Sequence, residues 1–373
     1  MQEDFHYYAT YCAAFLAGYS HEESLDVAYC AQLVDLCSRS FLSRIGGPSG
    51  AATTQLSLEL MDARTDIIGL QDITRIWASF HFLPKNLYAE KEGRTQRYMN
   101  KYRLICGPNG SLVADTVKLA KDKPIQSVGI AMHVLADTWA HTNFAGTPSL
   151  VINNTDYDFY EVLDHGDTHI ERNITFRHST STPDDLDKDI FSNSVSQQNE
   201  NSIMNLGHGR AGHIPDYSFI RFKYLPAWGE YKYILKDNPS DYFKAFCQMI
   251  YAMKFIRGDI DNFELNTYDY DAVKDHEDRI KEIIGIRQLI ACEDWKKFGQ
   301  DLSGEEIPDF NLDKYCDEYK NAAKDEKNST YLGCFIDGAI THKSMVTNRI
   351  YKSQNILAGF SKDMFHIIKR ADK

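Results

Sequence analysis

The sequence predicts a mainly α fold, and three observations carry that reading. Apolar residues recur at helical spacing through the first third of the chain and again from Asp241 onward. Helix-start signals stand where those periodic stretches begin. Residues 147–205 are the one long stretch without lasting periodicity, which reads as an irregular insertion or lid in a helical bundle.

Taken in order, Ser20 and Glu23 form a capping box ahead of Leu25, Ala28, Tyr29, Gln32, Leu33 and Leu36. Residues 46–50, Gly-Gly-Pro-Ser-Gly, are a loop. A second periodic stretch covers residues 70–82 and stops near Pro84. Pro124 suits a first helical position, followed by Val128, Ala131, Met132, Leu135 and Trp139. Within the insertion, residues 148–162 have some strand character and residues 179–202 are polar and acidic. Residues 207–228 are punctuated by glycine and proline. Helices are expected again over 241–256, 278–298, 312–324 and 331–357. The chain reads as one large helical domain, 1–373. The alternative is a metal-binding bundle over 1–235 with a helical extension over 236–373.

Composition bounds the function. In 373 residues, 43% hydrophobic and 12% aromatic content suffices for a sizeable core and argues against disorder. No apolar run reaches the ~18 residues of a membrane span, so stable membrane insertion is not expected. With 41 Lys and Arg against 53 Asp and Glu, the net charge of −12 argues against a broad grip on nucleic acid or anionic lipid. The N-terminus lacks the pattern of a secretory signal, and the eight cysteines include no CxxC pair. The expectation is a cytoplasmic protein with reduced thiols, whose metal chemistry, if any, comes from carboxylates and its 13 histidines.

The sharpest feature is His133, Asp137 and His141, spaced i, i+4, i+8. At 100° per residue they drift only ~80° around a helix, so they share a face among apolar neighbours. Buried imidazoles and a carboxylate need partners. A divalent metal is an economical one, because Zn²⁺ takes His nitrogen and carboxylate oxygen; an interhelical hydrogen-bonded network is the alternative. A second cluster holds His208, Arg210, His213 and Asp216 among three glycines, with Arg210 able to hold an anion through its planar fork. Asp4 and His6 lie at the start, His81 sits among apolar neighbours, and Asp35 falls on the apolar side of its helix. His165 and His169 read as solvated loop histidines.

Together these residues resemble the zinc-dependent phospholipase C / P1 nuclease superfamily, an all-α bundle holding three zinc ions around a His-x3-Asp-x5-His motif. His133-x3-Asp137 matches that motif, with His141 as its third histidine two residues early. Residues 4–8 and 207–213 are also similar to a bacterial subgroup of it. The resemblance implies that Asp137 bridges two metals, that His81 and His6 are ligands, and that a carboxylate between them is ligand and general base. Asp35 is the first choice for that carboxylate and Asp66 the second. His213-x2-Asp216 is nearest to the superfamily's His-x3-Glu, with His208 close by. In the superfamily a processed N-terminal amine ligates zinc. The lack of a signal to remove argues against Met1 in that role and brings Asp4 forward. The implied activity is zinc-dependent hydrolysis of a phosphoester, foremost a phosphodiester, by activated water, with two or three ions and Arg210 neutralising the phosphate. Small phosphoesters, nucleotides and lipid headgroups all fit as substrates. A catalytically silent, metal-stabilised binding or assembly protein of the same fold is the alternative. An HD-type phosphohydrolase is set aside because no His-Asp dipeptide occurs.

Overall fold

A computed structural model of the chain describes residues 1–63, 67–165, 168–177, 183–193 and 208–358. These residues are mainly helical. A π-helical turn, Asp4–Ala9, leads into α1 (Thr10–Leu16). Then come α2 (His21–Leu36), α3 (Arg39–Ile45), α4 (Ser57–Ala63), α5 (Ile67–Phe80), α6 (Gln96–Tyr102), α7 (Ser111–Ala120) and α8 (Ile125–Ala140). After the short α9 (Leu150–Asn153) the chain forms β1 (Thr155–His165), β2 (Thr168–Asn173), β3 (Thr175–Arg177) and β4 (Ile190–Ser192), and later β5 (Arg221–Pro226) and β6 (Ile234–Asp237). The remaining helices are α10 (Asn238–Arg257), α11 (Glu277–Gly285), α12 (Cys292–Ser303), α13 (Cys316–Asn321) and α14 (Tyr331–Lys352).

Helix α8 is the centre of the bundle. Fourteen of its 16 residues are buried, so it has no solvated face and every polar residue on it needs an internal partner. It packs on α2, α7, α10 and α14. The capping box starts α2 as the sequence predicts: Glu23 N–H donates to Ser20 Oγ, and Ser20 N–H to Glu23 Oε2. The main hydrophobic core runs from Met1 to Ile350 and includes side chains of α1, α2, α8, α10, α12 and α14. All eight cysteines are free, six of them buried.

Two expectations need correction. Residues 147–205 are not simply irregular: their described part carries β1–β4. Strands β2-β1-β5-β6 form an antiparallel sheet, with Glu161 opposite both Arg172 and Phe222. β3 and β4 pair in parallel. The physical reason is a second core beneath the sheet, where Phe159 stacks on Phe222 and Tyr224, and Tyr224 on Phe144. Secondly, residues 278–298 do not form one helix. The chain turns extended at Ile286, just after Gly285, and separates α11 from α12.

Close approach of α2 and α8 depends on Gly129. A Cβ there would lie 2.5 Å from both Cys30 Cβ and Val27 O. Gly129→Ala is therefore expected to force the helices apart and to lower stability by about 1–3 kcal/mol despite alanine's better helix propensity, as read by urea unfolding.

Candidate metal centre

Five segments converge at the C-terminal half of α8. His6 sits in the π-helical turn, a geometry frequent at functional sites, and is fully buried. Asp35 is the penultimate residue of α2, and His81 follows α5 directly. His133 and Asp137 lie on α8, and His141 is its C-cap. His208 and Asp216 bracket a tight turn that ends in a 3-10 helix, Ile214–Asp216.

Asp137 lies between them, 1% exposed. Its Oδ1 is 3.1 Å from His6 Nε2. Its Oδ2 is 3.2 Å from both His81 Nδ1 and His133 Nε2. Asp35 flanks the same rings, 3.7 Å from His81 Nδ1 and 3.9 Å from His6 Nε2 and His133 Nε2. Beside this, His141 Nε2 is 3.0 Å from Asp216 Oδ1, and His208 Nε2 is 3.5 Å from Asp216 Oδ2. Three ligand groups result, His6–His133–Asp137, Asp35–His81–His133 and His141–His208–Asp216, each with donor atoms within 4.8 Å of one another. Donors about 2.1 Å from one tetrahedral ion lie about 3.4 Å apart, so these spacings fit a shared cation.

The orientation of the rings is the decisive observation. His133 Nδ1–H donates to Ala31 O at 2.8 Å, and His141 Nδ1–H to His81 O at 2.7 Å. His81 Nε2–H donates to Thr53 O at 3.1 Å, and His208 Nδ1–H to Gly212 O at 2.7 Å. A carbonyl only accepts, so it fixes the proton on the outer nitrogen and turns the inner lone pair toward the centre. Thus His133 Nε2 and His81 Nδ1, 3.3 Å apart, both aim lone pairs at Asp137 Oδ2, itself an acceptor. Acceptors facing acceptors in a buried site call for a cation.

Electrostatics agree. Burial, then the neighbouring His6, push His133 down to about 4, and burial, then His141, do the same to His208 against the pull of Asp216. Both rings are neutral at pH 7, the form that binds metal. Burial opposes charge on Asp137 and Asp216, but the surrounding imidazoles and the α-ammonium of Met1 outweigh it and hold both well below the usual carboxylate range.

The α-amino group of Met1 is the main departure from the sequence reading. It is buried, 2.7 Å from Asp137 Oδ1, 3.2 Å from Asp216 Oδ1 and 3.4 Å from His141 Nε2. Burial lowers its pKa, yet Asp137, Asp216 and Asp35 raise it to about 11. Asp4 points elsewhere, its oxygens accepting from Phe5 N–H and Ala291 N–H. His213 stands outside the three groups, its side chain 63% exposed and 3.7 Å from Asp216, whereas His208 is inside. Arg210 is buried in the same turn but belongs to none of the groups. Asp66 lies outside the described residues. His169 is exposed on the β1–β2 hairpin, opposite Asp164, rather than in a loop.

Two predictions follow from this geometry. Gly212 has φ +58°, and a Cβ there would sit 2.0 Å from Ser192 O, so Gly212→Ala should displace the carbonyl that orients His208. The expected cost is at least about 2 kcal/mol, with loss of one metal equivalent by elemental analysis. For pH, His133, His208 and a third buried ring, His342, all have folded pKa values of about 4 against an ordinary 6.5. The unfolded chain then binds more protons between these values. Stability of the chelator-treated protein is expected to be full above pH 6.5 and to fall as pH drops toward 4, measured as Tm against pH.

No curated protein and no solved structure matches the chain. One family description does, over residues 1–350, nearly the whole length. The chain therefore belongs to the family of unknown function DUF6765.

Proposed function

We propose that this protein is a zinc-dependent phosphoester hydrolase, with a phosphodiester as the foremost substrate. The observation that carries the reading is the set of three adjacent ligand groups, two of which share His133, with Asp137 Oδ2 also 3.2 Å from His81 of the second group. His6, Asp35, His81, His133, Asp137, His141, His208 and Asp216, with the α-amine of Met1, would hold two or three ions. Zinc bound there would polarise the phosphoryl oxygens and bring the pKa of a water toward ~7.

The chain's own groups divide the remaining work. Asp137 presents one oxygen to each side and keeps the ligand halves in register. Asp35, 27% exposed, is the most solvent-reachable carboxylate of the cluster and is the group placed to accept the proton of an attacking water. Arg210 neutralises the bound phosphate in this reading. The backbone carbonyls of Ala31, Thr53, His81 and Gly212 keep the imidazoles from rotating, so little reorganisation accompanies catalysis.

The depth of the cluster favours a second reading, a metal-stabilised binding protein without turnover: His6 and His133 are fully buried and Asp137 nearly so. Elemental analysis with bis-p-nitrophenyl phosphate turnover separates the two. The hydrolase reading expects two or three Zn²⁺ per chain and hydrolysis abolished by chelation. Asp35→Asn should lower kcat by about 10²–10⁴-fold with most metal retained, and Asp137→Asn should lose metal and activity together. Metal and stability without turnover would select the binding protein; a metal-free chain that gains nothing from Zn²⁺ would overturn both.

The α-amine adds a separate expectation. Because neighbouring carboxylates keep it protonated to about pH 11, its recruitment as a ligand must expel a proton. Zn²⁺ titration at pH 8 in dilute buffer should release about one proton per chain; no release would leave the amine as a fixed counter-charge.

A further inference from the structure

A cavity of about 330 Å³ opens between α7, the start of α8 and α14, and shares no residue with the metal centre. Its volume is that of a small-molecule site. Ala120, Ile130 and Ala131 make an apolar floor. Polar groups ring it in unsatisfied form. Thr116, 2% exposed, has a buried Oγ1 without a hydrogen-bond partner. His342, 3% exposed, donates Nε2–H to Ser79 O at 2.9 Å, which leaves Nδ1 as an acceptor on a ring that lines the cavity.

Charge on the two walls is opposed. Lys123 and the first turn of α8 lie on one side; Pro124 is the N-cap there and supplies no side-chain cap to the free N–H groups. Asp337 lies on the α14 side. Both side chains are exposed, and among the described residues neither has an ion-pair partner. A simple anion would meet Asp337 unfavourably and a simple cation would meet Lys123 and the helix dipole. A molecule with both charges meets each correctly.

We propose that this cavity binds a small zwitterion, its oxyanion end at Lys123 and the first turn of α8 and its ammonium end at Asp337. A free α-amino acid and an aminoalkyl phosphate share that chemistry. Isothermal titration of the metal-loaded full chain with glycine, serine and phosphoethanolamine tests it, with acetate and inorganic phosphate as controls that carry the anion but no amine. At least one zwitterion should bind with Kd below about 1 mM, and the carboxylate or phosphate member that binds identifies the source. Lys123→Ala and Asp337→Asn, both at exposed positions, should each weaken binding at least tenfold while leaving Tm and metal content unchanged. Absence of heat from every zwitterion would overturn the proposal. So would affinity unaltered by both substitutions, or acetate or phosphate binding as tightly as its amino counterpart.

Discussion

Asp137 is the constraint on which the rest of the arrangement depends. A carboxylate on the innermost helix cannot reach water, and its solvation must come from protein groups. Each of its oxygens is claimed by a different set: the amine of Met1 and His6 on one side, His81 and His133 on the other. The N-terminal turn, the end of α5 and the whole of α8 are thereby held to one point. The π-helical start of the chain follows from this demand, since it seats His6 against the ring of His133, stacked at 3.8 Å.

The second layer is main chain rather than side chain. Four of the five imidazoles in the ligand groups are steered by backbone carbonyls. One of these, His81 O, orients His141, while the His81 ring serves the neighbouring group. The two halves of the centre are therefore joined through His81 as well as through the amine of Met1. Thr53 is itself pinned, its hydroxyl donating to Val34 O at 2.6 Å, so the end of α2 that carries Asp35 and the loop that steers His81 move together.

What was legible in the sequence was what local spacing encodes. His133, Asp137 and His141 are close because of helical geometry alone, and the buried face could be read from their apolar neighbours. The start of α2 is legible from its capping box, whereas Pro124, expected at a first helical position, stands at the N-cap of α8. His6, Asp35 and His81 carry no mutual spacing signal; only resemblance to a known motif set grouped them, and the fold brings them together. The choice between His208 and His213 was beyond periodicity, because an irregular turn sets side-chain direction through one left-handed glycine, Gly212. The resemblance does raise an N-terminal amine, but the lack of a signal to remove argues against Met1, and only the fold shows its amine beside Asp137. The sheet was underestimated because half of it, β5 and β6, is supplied from beyond the stretch judged irregular.

Phe82 follows His81 in the chain but belongs to the other core, beneath the sheet, where its ring stacks on His141 at 4.6 Å. Adjacent residues thus commit to different modules, and the centre sits on the seam between them. Its contacts also span long stretches of chain: 136 residues separate Met1 from Asp137, and 75 separate His141 from Asp216. Bridging such distances removes chain entropy from the unfolded ensemble, as a covalent cross-link does. In topological terms the cluster is a clasp, closing two large loops at once, and the helical and sheet modules can part only by opening it.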